Sequence, residues 1–91
     1  MEYKWAVNNN DGRLDLYLIR NDTPVGFVDL RDKECINVWI PHEDNFNIMT
    51  YPSMWHKDPY GSAVNYLKAM FDTDEIPDAP QQEHVELMRK V

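Results

Sequence analysis

Five side chains in mid-chain are of the types that metal binding or general acid–base chemistry uses: His42, Glu43 and Asp44 in one run, His56 and Asp58 in the next. Imidazole and carboxylate can share a metal ion or pass a proton between them. Two histidines fourteen residues apart do not make a ligand spacing, and the third, His84, lies near the C-terminus. The simpler reading is a polar loop. Asp72-Thr73-Asp74, with Glu83 twelfth from Asp72, partly echoes a calcium loop, but Pro77 stands where that loop needs glycine and Ile76 where it needs a ligand. Cys35, Ser53 and Ser62 have no paired base nearby in sequence, and three scattered glycines cannot build a phosphate loop. The expectation is therefore no catalytic residue, no metal and no cofactor.

Two other groupings suit protein recognition. Met49, Tyr51, Pro52, Met54, Trp55, His56 and Tyr60 fall within twelve residues. Exposed aromatics and methionines beside a few charges are common makings of a binding hot spot. The competing reading is packing, with Trp55 plugging the end of a sheet. From Asp72 to Glu86 there are six acids (Asp72, Asp74, Glu75, Asp78, Glu83, Glu86) and no lysine or arginine. The expected partner-binding residues are Tyr51, Met54, Trp55, Tyr60, Asp72, Asp74, Glu75 and Asp78. Trp5 and Trp39 lie in strand-like runs and read as core.

The elements that must position these residues show in the hydrophobic periodicity. Tyr3-Lys4-Trp5-Ala6-Val7 alternates, and Asn8 to Gly12 ends in Asp-Gly, a strong hairpin signal. Arg13 to Arg20 puts Leu14, Leu16 and Leu18 on one face and Asp15, Tyr17 and Ile19 on the other. Val25 to Leu30 is a third strand, with Gly26 suggesting a bulge or a close backbone approach. In Glu34 to Ile40, a fourth, Ile36, Val38 and Ile40 alternate, and Pro41 is expected to end it. Phe46 to Tyr51 reads as a shorter fifth strand at an edge, and Ser53 to Lys57 as a helical turn or loop. Short turns between consecutive strands imply an antiparallel meander, one face packed and one wet.

Asp58 then offers an N-cap and Pro59 suits the first helical position. Tyr60, Ala63, Val64, Leu67 and Phe71 form one apolar face. Asp72 to Pro80 reads as an acidic linker, and Gln81 to Val91 as a short helix or a tail ordered by a partner. The fold class is α+β: a four- to five-stranded meander covered on one face by a single amphipathic helix. It forms one domain over 1–91, with the sheet about 2–51, the helix about 59–72, the linker 72–80 and the tail 81–91.

Composition narrows the function classes. Hydrophobic content of 43% and eleven aromatics support a core, which excludes global disorder. One cysteine forms no internal disulfide, and Met1-Glu2-Tyr3-Lys4-Trp5 does not read as the start of a signal peptide. No apolar stretch nears ~18 residues, so no membrane span is expected, and a reducing, cytoplasmic setting is the default. The net charge of −7 is lopsided: residues 1–40 hold seven acids and five bases, residues 41–91 nine and four. Phosphate-backbone binding needs lysine and arginine, so a direct nucleic-acid partner is disfavoured and a basic protein favoured. Solubility is the plainer use of the same charge. The chain thus reads as a small non-enzymatic protein-binding module. It would inhibit or modulate a larger basic complex, one that handles nucleic acid, with its carboxylates standing in for phosphates. In size, charge and aromatic content it resembles, in style, the short acidic accessory proteins of phages and mobile elements. The rival readings are a small enzyme or ligand binder using His42, Glu43, His56 and Asp58 around one pocket, and a structural subunit dimerising through a sheet edge. Monomer and homodimer both stay open.

Overall fold

A computed structural model describes residues 2–90. Five strands form one antiparallel sheet in sequence order: β1 (Tyr3–Asn10), β2 (Arg13–Arg20), β3 (Thr23–Asp29), β4 (Cys35–His42) and β5 (Asn45–Pro52). Two helices follow, α1 (Pro59–Ala69) and α2 (Gln82–Leu87), and a 3-10 turn, Met88–Lys90, runs on from α2. The α+β meander expected from the alternation is the fold found.

Local chemistry explains the turns. Asp11-Gly12 and Asn21-Asp22 take positive φ at both central residues, the twist that two-residue hairpin turns require. Glu43 takes positive φ at the head of the third such turn, Glu43-Asp44. That tight turn corrects two expectations. Pro41 does not end β4, which runs on to His42, and β5 is not shortened: it pairs with β4 over eight residues, from Cys35↔Pro52 to His42↔Asn45. Pro41 is tolerated because it lies near the strand end and is exposed.

The buried face carries Leu14, Leu16 and Leu18 of β2, Val28 of β3, and Ile36, Val38 and Ile40 of β4. Helix α1 covers it with Tyr60, Ala63, Val64 and Leu67, and packs on β3, β4 and β5. Gly26 sits under the helix; a Cβ there would lie 2.7 Å from Leu67 Cδ1 and 3.3 Å from the Trp39 carbonyl. Both expectations for this glycine hold: the helix approaches it closely, and the pairing skips Val25 beside it, Leu18 facing Gly26 and Ile19 facing Pro24. The register shift in this strand pair falls between Leu18 and Ile19.

The helix starts where the sequence places it. Asp58 accepts from the Gly61 N–H at 2.9 Å, and Pro59 occupies the first turn. It ends sooner than expected, at Ala69. The N–H groups of Phe71 and Asp72 fold back onto the Lys68 and Ala69 carbonyls, and Asp72 adopts a positive φ of 45°. Phe71 therefore lies past the helix, half-buried beside Tyr3 and under the Arg20 guanidinium.

The segment from Asp72 to Pro80 is more than a solvated linker. Ile76 is buried, the Trp5 indole donates to the Pro77 carbonyl at 2.8 Å, and the Tyr60 hydroxyl donates to the Pro80 carbonyl at 2.6 Å. The C-terminal segment is also docked. Val85 is fully buried, the Asn9 amide donates to the Met88 carbonyl, and Arg89 joins Glu86 at 2.7 Å while donating to the Leu30 carbonyl at 2.5 Å. Val91 lies outside the described residues.

Candidate recognition surface

The turn after β5 presents the most exposed aromatic ring among the large exposed side chains. Trp55 is 77% exposed and its neighbour Met54 83%. The backbone beneath them is held firmly. The N–H groups of Trp55 and His56 both donate to the Pro52 carbonyl, at 3.1 and 3.2 Å. Ser53 bonds Glu34 twice, its N–H to the Glu34 carbonyl at 2.8 Å and its hydroxyl to the carboxylate at 2.6 Å. A large apolar ring is thus displayed on a braced support, so little backbone ordering remains to be lost on binding.

The other two aromatics expected here are core. Tyr51 lies on the buried face of β5, opposite Ile36, with its ring edge-on to His56 and Tyr66. Tyr60 is clamped between α1 and Pro80, and burial, with the Asp58 charge adding, pushes its hydroxyl up to about 12. Both are buried because strand and helix periodicity turn them inward, so neither ring is presented to a partner.

Asp72, Asp74, Glu75 and Asp78 are all exposed. Asp72 and Asp74 border one shallow hollow with Lys68, and Asp78 borders another with Asp58, Tyr60 and Lys68. One lysine thus stands amid four aspartates. Thr73 orders this loop, donating to the Glu75 carboxylate and accepting from its N–H.

The histidine and carboxylate set is not gathered at one place. His42 pairs with Asn45 at the turn end of β5, and His56 follows its opposite end, so the strand's length, about 23 Å, separates them. Among the described residues no three His, Cys, Asp or Glu side chains cluster as ligands. Cys35 is half-buried, with Sγ 4.0 Å from the Asn37 side-chain oxygen. No helix among the described residues is long and apolar enough to cross a membrane.

The second sheet face, which carries Asp15, Tyr17 and Ile19 and was expected to be wet, instead buries Asp15 and bears a further apolar surface. On the sheet face turned away from the helices, Tyr17, Phe27 and Trp39 pair across β2, β3 and β4. Ring centroids are 5.0 Å apart from Tyr17 to Phe27 and 5.9 Å from Phe27 to Trp39, where the planes are nearly parallel; Phe46 meets Trp39 edge-on at 5.5 Å. Trp39 is therefore an outer-face residue rather than core. Its Nε1 is buried without a hydrogen-bond partner among the described residues. The signal was in the sequence: these aromatics occupy the parity opposite to the leucine and valine stripe, and the short turns bring them level. Beside the row lie two buried carboxylates, Asp15 and Asp29, paired across the strands. Arg31 binds Asp29, and Arg13 approaches Asp15 at 3.4 Å without a hydrogen bond. Comparison with family models, with curated proteins and with solved structures finds no match.

Proposed function

We propose that the chain is a non-enzymatic module that binds a larger protein with a basic surface and so inhibits or modulates it. The observation that carries this reading is the braced display of Trp55 and Met54, because a rigid exposed aromatic is the usual anchor of an interface. The acidic loop supports it: Asp72, Asp74, Glu75 and Asp78 are all exposed on an ordered support, the arrangement that steers a basic partner during encounter. A partner that handles nucleic acid is the natural class, since carboxylates on an ordered loop can occupy a groove shaped for phosphates. The open aromatic row could in principle stack bases. Its neighbours include Asp15 and Asp29, and the chain's charge of −7 opposes a phosphate backbone. A reducing, cytoplasmic setting is part of the same reading, on the strength of a single cysteine.

The test is capture of partners from a lysate of the source cell, with wild type and Trp55→Ala side by side. Enrichment of one basic protein by wild type, lost in the variant, supports the reading. Equal capture by both forms, or an acidic partner, overturns it.

A further inference from the structure

The sheet has two edges, and they are not alike. The β1 edge is braced by the chain's last third, Trp5 donating to the Pro77 carbonyl and Asn9 to the Met88 carbonyl. The β5 edge has none of the usual devices that keep an edge from pairing. From Asn45 to Pro52 there is no charged residue, no register shift interrupts its pairing with β4, and its proline stands at the very end. Phe46 and Ile48, on the outer face, are 46% and 51% exposed, and Met49, on the inner face, 42%. Acids bracket this apolar edge. From Glu34 to His56 the chain holds Glu34, Glu43 and Asp44 and no lysine or arginine. Glu43 and Asp44 are exposed in the turn at one end of β5, and the Ser53 hydroxyl holds the Glu34 carboxylate at the other, at 2.6 Å.

We infer, resting on the basic partner proposed above, that β5 is a strand-addition edge for an extended segment of that partner. The segment pairs main chain to main chain with β5, and its lysine or arginine side chains meet Glu43-Asp44 at one end and Glu34 at the other. Charge selects the occupant. A chain of net charge −7 attracts a cationic segment and repels its own copies, and a second copy would set its Glu43-Asp44 turn beside Glu34. Trp55 and Met54 stand just past the same strand end, bonded back to Pro52, so a segment on the edge runs into the exposed ring.

The register follows from the turn. A two-residue turn makes His42 and Asn45 the hydrogen-bonded closing pair, so odd-numbered β5 residues bond to β4. The Ser53 N–H keeps that parity, donating to the Glu34 carbonyl at 2.8 Å. Phe46, Ile48 and Thr50 then turn their N–H and C=O groups to the open side. Consistent with this, the Phe46 N–H bonds the neighbouring Asn45 side chain at 3.3 Å. The Pro52 carbonyl already accepts from Trp55 and His56, so the open ladder ends at Thr50. A ligand strand of about six residues fits it. An apolar ligand side chain beside Ile48 would extend the outer row of Tyr17, Phe27, Trp39 and Ile48.

Panning a random peptide display library on the wild-type protein tests it, with the enriched peptides synthesised and titrated by calorimetry. They should carry lysine or arginine towards their ends and apolar residues between. In wild type, bound peptide should slow hydrogen exchange of the Ile48 and Thr50 amides about tenfold or more, and change Asn47 and Met49, already bonded to β4, far less. Ile48→Pro removes one open N–H and no bond to β4, which an edge strand tolerates. It should weaken binding about tenfold or more, and Ile48→Ala, which keeps the N–H, clearly less. No enriched peptide, unchanged exchange at Ile48 and Thr50, equal losses in the two variants, or a wild type that dimerises through this edge overturns the inference. Binding lost in Trp55→Ala yet kept in Ile48→Pro removes the edge and leaves the Trp55 anchor standing, whereas acidic binders overturn the edge and the basic partner together.

Discussion

The Asp15 carboxylate is an expense the fold carries. It is almost wholly buried, neither oxygen has a hydrogen-bond partner among the described residues, and Asp29 lies directly across the strand pair. Burial pushes its carboxyl above the ordinary value of 3.8; Arg13 opposes the rise and Asp29 adds to it. The folded chain thus holds this proton more tightly than the unfolded chain, so the stability tied to Asp15 is complete below the ordinary value and falls as pH rises through the folded one. Asp15→Asn should therefore melt higher than wild type by a margin that grows from about pH 4 to pH 7, measured by calorimetry. A margin that shrinks over that interval would show that the arginines dominate. Tyr60 works at the other end of the scale. Its hydroxyl, raised to about 12, stays neutral in the fold while an unfolded tyrosine ionises near 10. Stability should be full below pH 10 and fall between 10 and 12, and Tyr60→Phe should flatten that decline.

At the scale of elements, the helix and its cap are the most testable part. Leu67 is fully buried over Gly26, so Leu67→Ala should cost about 2–5 kcal/mol in urea melts, while Lys68→Ala, one position round the helix, should cost little. Equal small effects would mean that the helix does not dock as described. Gly61 gives a sharper case. Glycine to alanine ordinarily helps a helix, by up to about 1 kcal/mol. Here an added Cβ would stand 2.1 Å from a carboxylate oxygen of Asp58, so Gly61→Ala should displace the cap and destabilise. In an Asp58→Ala background the same change should turn stabilising. The strands and this helix were legible in sequence because alternation, Asp-Gly turns and a cap act within a few residues. The full length of β5 was not, because Pro41 looked like a terminator and the tight Glu43-Asp44 turn carries no glycine. The docking of the C-terminal segment was hidden for another reason: it depends on Val85, Arg89 and the Leu30 carbonyl, contacts that span nearly sixty residues. The candidate site divided similarly. Trp55 and Met54 stood out by type, but whether Tyr51 and Tyr60 faced in or out was decided only by the register and the helix position.

At the scale of the whole molecule, the two proposed recognition features differ in physics and should fail differently. The carboxylates of Asp74, Glu75 and Asp78 lie exposed, where charges act through a screened field that speeds encounter more than it holds a complex. Reversing all three should slow association and flatten its salt dependence, with little change in dissociation. Trp55 is an apolar anchor, so Trp55→Ala should mainly speed dissociation and cost on the order of 2 kcal/mol or more. The exposure of its ring separates binding from folding: because 77% of it faces solvent, its loss should leave the melting temperature nearly unchanged. Surface plasmon resonance against the captured partner at two salt concentrations, beside thermal melts of each variant, reads all of these quantities. A fall in melting temperature that tracks the loss of affinity would make Trp55 a packing residue. If both variants stay folded and neither rate changes, the interface lies instead on the open sheet face. There Tyr17, Phe27 and Trp39 form the next apolar surface, and Tyr17→Ala becomes the variant that should release the partner.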